Sequence, residues 1–250
     1  MKTALFAVFF GLSLCQTSFS APVNVWFEKA NTFYSEQKFD SAAHYYEKII
    51  ESGYQSSTVY FNCGNAWYRL KKPGLARLYY EKASQLDPLD EDIRNNIRFL
   101  NSNIVDRIPE PEQSFMGMIF SQIHHLFPLN VQLWVFFGLL LTISIFTSTV
   151  LFIKGNGKLW LIYGSILLSL IALAIGSSAA YKIYEKEKIA YAVLLASVAD
   201  AKNEPDGAKV LFTVHEGVKF RIRKAEDKWS LVSLPNGVSG WVKNADLGKI

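Results

Sequence analysis

The sequence predicts a multidomain membrane protein: an all-α repeat solenoid, a two-helix transmembrane hairpin and a small all-β barrel. Three observations lead there. Aromatic and small residues recur at a 34-residue offset over residues 24–103. Two long stretches, 131–153 and 159–180, carry no charged side chain. The remainder, 189–250, is made of short runs rich in Val, Phe, Ile and Trp, parted by turn signals.

Composition favours separate pieces over one core. Half of the 250 residues are hydrophobic (50%), yet 26 Lys and Arg and 22 Asp and Glu remain, so apolar segments must stand apart from charged ones. The formal net charge of +4 is spread along the chain. It makes no basic stripe of the kind that holds nucleic acid, which excludes that partner. Cys15 and Cys63 are too far apart in sequence for a CxxC pair or a zinc cluster.

Met1-Lys2-Thr3 ahead of the apolar run 4–14 reads as a secretory signal peptide over 1–20. The run is about half the roughly 20 residues a spanning helix needs. Ser18 and Ser20 suit cleavage before Ala21. The alternatives are an uncleaved anchor and lipidation of Cys15, although Leu12-Ser13-Leu14-Cys15 places leucine where a small residue belongs. With the peptide removed only Cys63 stays, so no internal disulfide forms.

In the helical module Ala30 aligns with Gly64 at the 34-residue offset. Trp26 then falls on Tyr60, Phe33 on Trp67, Tyr34 on Tyr68, Ala42 on Ala76, and Tyr46 on Tyr80. Small residues let the helices of a hairpin approach, and aromatics fill the gaps between hairpins. This pattern, with Gly64-Asn65-Ala66-Trp67-Tyr68 and the run from Tyr80-Glu81-Lys82-Ala83 to Leu86-Asp87-Pro88, resembles the tetratricopeptide repeat (TPR). The first unit departs from it with Lys29 before the small residue, Ile49 for alanine and Tyr54 for the closing proline. Asp90-Glu91-Asp92 opens a further helix with acidic residues suited to its N-terminus. Arg98 stands where a third unit needs a small residue, so 90–103 reads as a capping helix. The resemblance implies peptide binding on the concave face, with Asn31, Tyr34, Asn65, Tyr68 and Arg69 as the candidate residues. Asparagine amides there can hydrogen-bond a peptide backbone. The other reading gives these residues packing roles alone. Phe27 and Phe61 hold the positions where the family's carboxylate-gripping version has lysine, and Arg69 and Arg94 are the nearest cations. Two units and a cap fall short of the three repeats a free-standing stack usually needs. We therefore expect a partner or the membrane-proximal segment to cover the exposed end.

Residues 104–130 read as a linker and an amphipathic segment. Pro109 and Pro111 discourage helix. The apolar stretch 115–127 suits either the bilayer interface or packing on the helical module. His124 and His125 are adjacent and point about 100° apart on a helix, a poor metal pair. The stretches 131–153 and 159–180 are each long enough to cross a bilayer as helices, joined by the turn 154–158. Ala172, Gly176 and Ala180 recur every four residues, a spacing that permits close helix contact. A cleaved signal exports the first module, and two crossings return the C-terminal module to the same side. Lys154 and Lys158 then face the cytoplasm, and both soluble domains are periplasmic at a bacterial inner membrane.

In the last module the runs 209–214, 218–223, 228–234 and 238–242 read as strands, opened by a strand at 196–200. Pro235-Asn236-Gly237 promises a tight hairpin with two left-handed central residues. The run from Leu211 to Gly217, with Trp229 and Gly240-Trp241-Val242, resembles the bacterial SH3-like domain. Trp229 and Trp241 belong either to its core or to a binding face.

The order of signal, TPR pair, membrane hairpin and SH3-like barrel resembles the BatE-type proteins of bacterial aerotolerance (Bat) operons. The resemblance implies a non-catalytic scaffold acting with other membrane proteins of a Bat-type complex, some with von Willebrand-type domains, and a MoxR-type ATPase. Its partners would be those proteins or their peptide segments, and the lipid bilayer. The alternative is an envelope protein whose SH3-like domain binds peptidoglycan. No enzyme is expected. Gly-x-Ser-x-Gly and His-Glu-x-x-His are missing, and the 154–158 turn has Phe152 and Leu159 where a P-loop needs glycine and Ser or Thr. No cofactor is expected either.

Overall fold

The computed structural model describes residues 21–106, 108, 114–153, 155 and 157–250. The expected signal peptide, Cys15 and the Pro109/Pro111 pair lie outside the described residues.

Five helices form the first module: α1 (Ala21–Ser35), α2 (Phe39–Glu51), α3 (Ser57–Arg69), α4 (Pro73–Leu86) and α5 (Glu91–Asn103). They make two antiparallel hairpins and a fifth helix against α4. Ala30, Ala42 and Ala76 are fully buried where the helices meet. At Gly64 the approach is closest, since a Cβ there would lie 2.6 Å from the Tyr80 ring. The two hairpin turns repeat too. Gln37 and Lys71 both take left-handed backbone, with φ of 61° and 58°. Asp90 caps α5, accepting from the backbone N–H of Asp92 (2.9 Å) and Ile93 (3.1 Å).

Next come α6 (Phe115–Leu126), α7 (Leu129–Val150) and α8 (Gly157–Lys188). Both α7 and α8 are long and apolar enough to cross a membrane. They pack as a hairpin in which phenylalanines sit over glycines. A Cβ on Gly176 would come within 2.8 Å of the Phe136 ring, and one on Gly164 within 3.2 Å of Phe146. Of the small residues spaced by four, Ala172 is buried and Gly176 faces Phe136, whereas Ala180 is exposed and Ser178 and Ala179 are buried in its turn instead. The second helix runs past the expected end at 180 because Tyr181 to Lys188 is built of helix-compatible residues, and it stops one residue before β1. Helix α6 lies on α8, not on the repeat module: His124 and Phe120 contact Tyr181 at 5.5 and 5.9 Å between ring centres. Phe115, Met116 and Met118 point outward and are exposed.

Seven strands complete the chain: β1 (Ala190–Leu194), β2 (Val198–Lys202), β3 (Val210–His215), β4 (Lys219–Ala225), β5 (Trp229–Ser233), β6 (Ser239–Lys243) and β7 (Leu247–Lys249). Every pairing is antiparallel, in the order β3-β2-β6-β5-β4-β1-β7. The inner face carries Leu194, Ala201, Val214, Phe220, Val232 and Val242. Strands β1 and β7 had no sequence signal of their own. Residues 192–194 carry no alternation because they are buried on both faces, between the sheet's core and α4. The β5–β6 turn also differs from the expected tight hairpin. Gly237 alone is left-handed (φ 88°), and its N–H donates to the Leu234 carbonyl at 2.9 Å. Pro235 favours an ordinary type I turn closed by a glycine bulge over the mirror-image turn.

Candidate functional site

The concave face of the repeat module is lined by α1, α3 and α5. The Tyr46 hydroxyl donates to Asn31 Oδ1 at 2.7 Å, and the Tyr80 hydroxyl donates to Asn65 Oδ1 at the same 2.7 Å. Asn62 stands beside the Tyr46 hydroxyl, and Asn96 beside that of Tyr80. Each buried tyrosine therefore sits between an asparagine of its own hairpin and one of the next helix. Asn96 Nδ2 further donates to Asn65 Oδ1 at 3.1 Å. The result is a ladder of four amides across three helices. Burial pushes both phenols well above their usual range, so they remain hydrogen-bond donors. The Oδ1 atoms of Asn31 and Asn65 are thus engaged by tyrosine, which fixes the position of both amides. Asn62 and Asn96 were missed in the sequence, although they too stand 34 residues apart.

The aromatic candidates split into two groups. Tyr34 meets Phe39 edge to face at 5.2 Å, and the Arg69 guanidinium lies 4.5 Å over the same Phe39 ring. Tyr68 meets Phe99 at 5.8 Å, and both remain exposed. Asn65, Tyr68, Asn96 and Phe99 thus share the α3–α5 end, with Asn31, Tyr34 and Arg69 at the α1–α3 end. Arg94 turns aside to the Pro88 carbonyl (3.3 Å) and Glu91 (3.8 Å).

Behind the groove, Glu47 accepts from Trp67 Nε1 (3.0 Å) and the Tyr79 hydroxyl (2.9 Å). Cys63 is fully buried beside this group. Burial, then the Glu47 carboxylate, push its thiol well up. We expect iodoacetamide to leave Cys63 unmodified in the folded protein through mildly alkaline pH, and to react fully in denaturant, as read by intact mass. The sign for stability follows: the neutral thiol's contribution is complete below the unfolded thiol's pKa and is lost as pH rises above it.

A second feature is where the repeat module meets the β module. Glu81 stands 34 residues after Glu47. Glu47 receives the next hairpin's donors, whereas Glu81 receives Lys219 Nζ of β4 at 2.7 Å. It also pairs with Arg77 at 3.4 Å, and Arg77 Nη1 donates to the Gly217 carbonyl at 2.9 Å. Desolvation lowers the Arg77 pKa, opposed by Glu81. The Gly74 N–H donates to Glu216 at 2.9 Å, and a Cβ on Gly74 would lie 2.6 Å from the Leu194 carbonyl oxygen. Leu78 packs on Gly248 of β7. Beyond α5, Asp106 accepts from the His215 N–H at 2.6 Å and pairs with its ring at 3.0 Å. Residues 74, 77, 78 and 81 fall on one helical face. The C-terminal module therefore covers this face of α4. One strand further, the Tyr191 hydroxyl donates to Glu185 of α8 at 2.9 Å, and Glu185 lies 3.5 Å from His124 of α6.

Comparison with known proteins finds the tetratricopeptide repeat family (TPR_2) over residues 57–90, the span of α3, α4 and the turn after them. No curated protein matches the chain. Among solved structures, the first TPR of Spaghetti (RPAP3), bound to the HSP90 peptide SRMEEVD, is similar at 20% identity. That similarity covers 32% of this chain and 90% of that one, with a TM-score of 0.23. The Arabidopsis OM64 TPR domain is similar at 20% identity over 33% of this chain and 97% of that one, with a TM-score of 0.21. On the family match, this chain is a TPR-containing protein with a helical repeat region, two apolar helices and a C-terminal antiparallel sheet.

Proposed function

We propose that the protein is a membrane-anchored, non-catalytic scaffold whose asparagine ladder holds an extended peptide segment of a protein partner. The observation that carries this reading is the repeated tyrosine–asparagine hydrogen bond, which fixes amide donors at regular intervals along the repeats. Such donors suit successive backbone carbonyls of a peptide, with Tyr68 and Phe99 adding apolar contact. The two apolar helices serve as the anchor. The contact between α4 and the β module supports a topology with both modules on one face of the bilayer, because segments flanking two crossings touch directly. In this reading the β module is an SH3-like barrel, and the compartment is the periplasmic side of a bacterial inner membrane. The partner is then a member of a Bat-type stress-tolerance complex.

Asn65→Asp tests the ladder, since it removes the amide donor and keeps an acceptor for Tyr80. With a photo-crosslinking residue at Tyr68 in intact cells, the partner adduct is expected to fall about tenfold in Asn65→Asp with thermal stability close to wild type. An undiminished adduct would refute the ladder's role. A reporter fused after Ile250 that proved active only in the cytoplasm would refute the topology.

A further inference from the structure

We propose that the face of the β sheet left uncovered by α4 docks on anionic lipid headgroups of the bilayer that holds the hairpin. The inference rests on the reading of α7 and α8 as membrane spans. Val232, Val242 and Phe220 point into the sheet's core, so Leu231, Trp241 and Arg221 point outward. The pairing sets Lys202 opposite Trp241, Trp241 opposite Leu231, and Leu231 opposite Lys224. These side chains form one row across four strands. In the next row Lys243 stands opposite Trp229. The indoles carry the ammonium groups: Lys202 and Lys243 lie 5.6 and 5.8 Å from Trp229, and Lys224 lies 5.8 Å from Trp241. Arg223 adds a further cation, held by Ser233 Oγ at 3.0 Å.

Two carboxylates on this side already have partners, Asp200 being on the same side of β2 as Lys202. Glu226 pairs with Lys224 at 2.8 Å, and Asp200 accepts the Thr213 hydroxyl. Among the described residues no carboxylate pairs with Lys202, Lys243, Arg221 or Arg223. The array spreads over strands about 4.8 Å apart and does not follow one strand, which fits a charged plane better than a single extended peptide. Trp229 is only 5% exposed and is flanked by lysines, so it offers no bare face for a sugar ring.

Position points the same way. Strand β1 begins two residues after α8 ends, with Ala190 opposite Ile222. Strand β4 runs antiparallel, so Arg223 and Lys224 lie past the start of β1, at the end of the sheet where α8 arrives. Lysine and arginine close to a membrane surface are drawn to anionic lipid, and the part-exposed indole of Trp241 suits the interface.

The test is lysine acylation of the full chain in nanodiscs of phosphatidylcholine alone and with phosphatidylglycerol added, read by mass spectrometry. Lys202, Lys224 and Lys243 are expected to be protected about threefold or more by the anionic lipid, with the protection removed by high salt. Lys38 of the repeat module, with its side chain 59% exposed, should not change. Arg223→Gln with Lys224→Gln should weaken protection at Lys202 and Lys243. Equal acylation in both discs would overturn the docking, as would stronger protection by soluble polyglutamate or by cell-wall fragments. Deuterium exchange on the same discs reads the spans separately: fast exchange in α7 and α8 would overturn the membrane reading itself.

Discussion

Glu81→Ala is expected to destabilise the protein by about 3 kcal/mol and to loosen the β module from the repeats. The carboxylate is 11% exposed and its partner Arg77 is 9% exposed. Removing it leaves a buried guanidinium without its counter-charge, the costly way to break an ion pair. Lys219 loses less, since its side chain is 31% exposed and water can replace the contact. Lys219→Ala alone should therefore cost about 1 kcal/mol or less. Replacing all three groups by apolar residues (Arg77→Met, Glu81→Leu and Lys219→Met) should recover most of the loss, because no charge is then stranded. Denaturant unfolding of the detergent-solubilised chain measures the stabilities. Limited proteolysis near Asp106 reads the loosening. A Glu81→Ala variant as stable and as protease-resistant as the parent would show that this contact does not hold the modules together.

The second large effect is expected at Gly64. Gly64→Leu should cost about 3 kcal/mol, at the upper end of overpacking penalties. A Cβ alone would come within 2.6 Å of the Tyr80 ring and 3.1 Å of the Ala76 carbonyl oxygen. The leucine must push α3 from α4, which also breaks the Tyr80–Asn65 hydrogen bond at 2.7 Å. Near-UV circular dichroism and the midpoint of unfolding report the change. At the equivalent position the fully buried Ala30 already has a Cβ, so Ala30→Gly should cost about 2 kcal/mol, from a helical glycine and the loss of a buried methyl.

Much of this architecture can be read from period alone. The 34-residue offset locates the small residues and the tyrosines, because close packing admits few residue types at those positions. It also contains the whole asparagine ladder, but only Asn31 and Asn65 were recognised. Asn62 and Asn96 follow the same offset without belonging to the repeat's familiar pattern. The junction was legible in principle as a set of departures. Asp40, Ala43 and His44 of the first unit become Gly74, Arg77 and Leu78 in the second, and each change serves contact with the β module. Nothing local says what those changes face, since the answering groups stand some 140 residues away in sequence, as in the 140-residue separation of Arg77 and Gly217. Strand β1 was hidden for a related reason. Its burial on both faces erases the alternation by which a half-exposed strand is recognised.

The passage from α8 to β1 leaves one residue, Ile189, between helix and strand, and its N–H still closes the last helical turn on Glu185 at 2.9 Å. With Tyr191 bound back to the same glutamate, the junction of helix and sheet is held by two contacts to one residue. In a bilayer the sheet would stand on its helix like a flag welded to a pole, carrying the repeats at a set height and tilt. A partner would then have to offer its segment at that altitude, so reach, as much as sequence, would decide what the groove can capture.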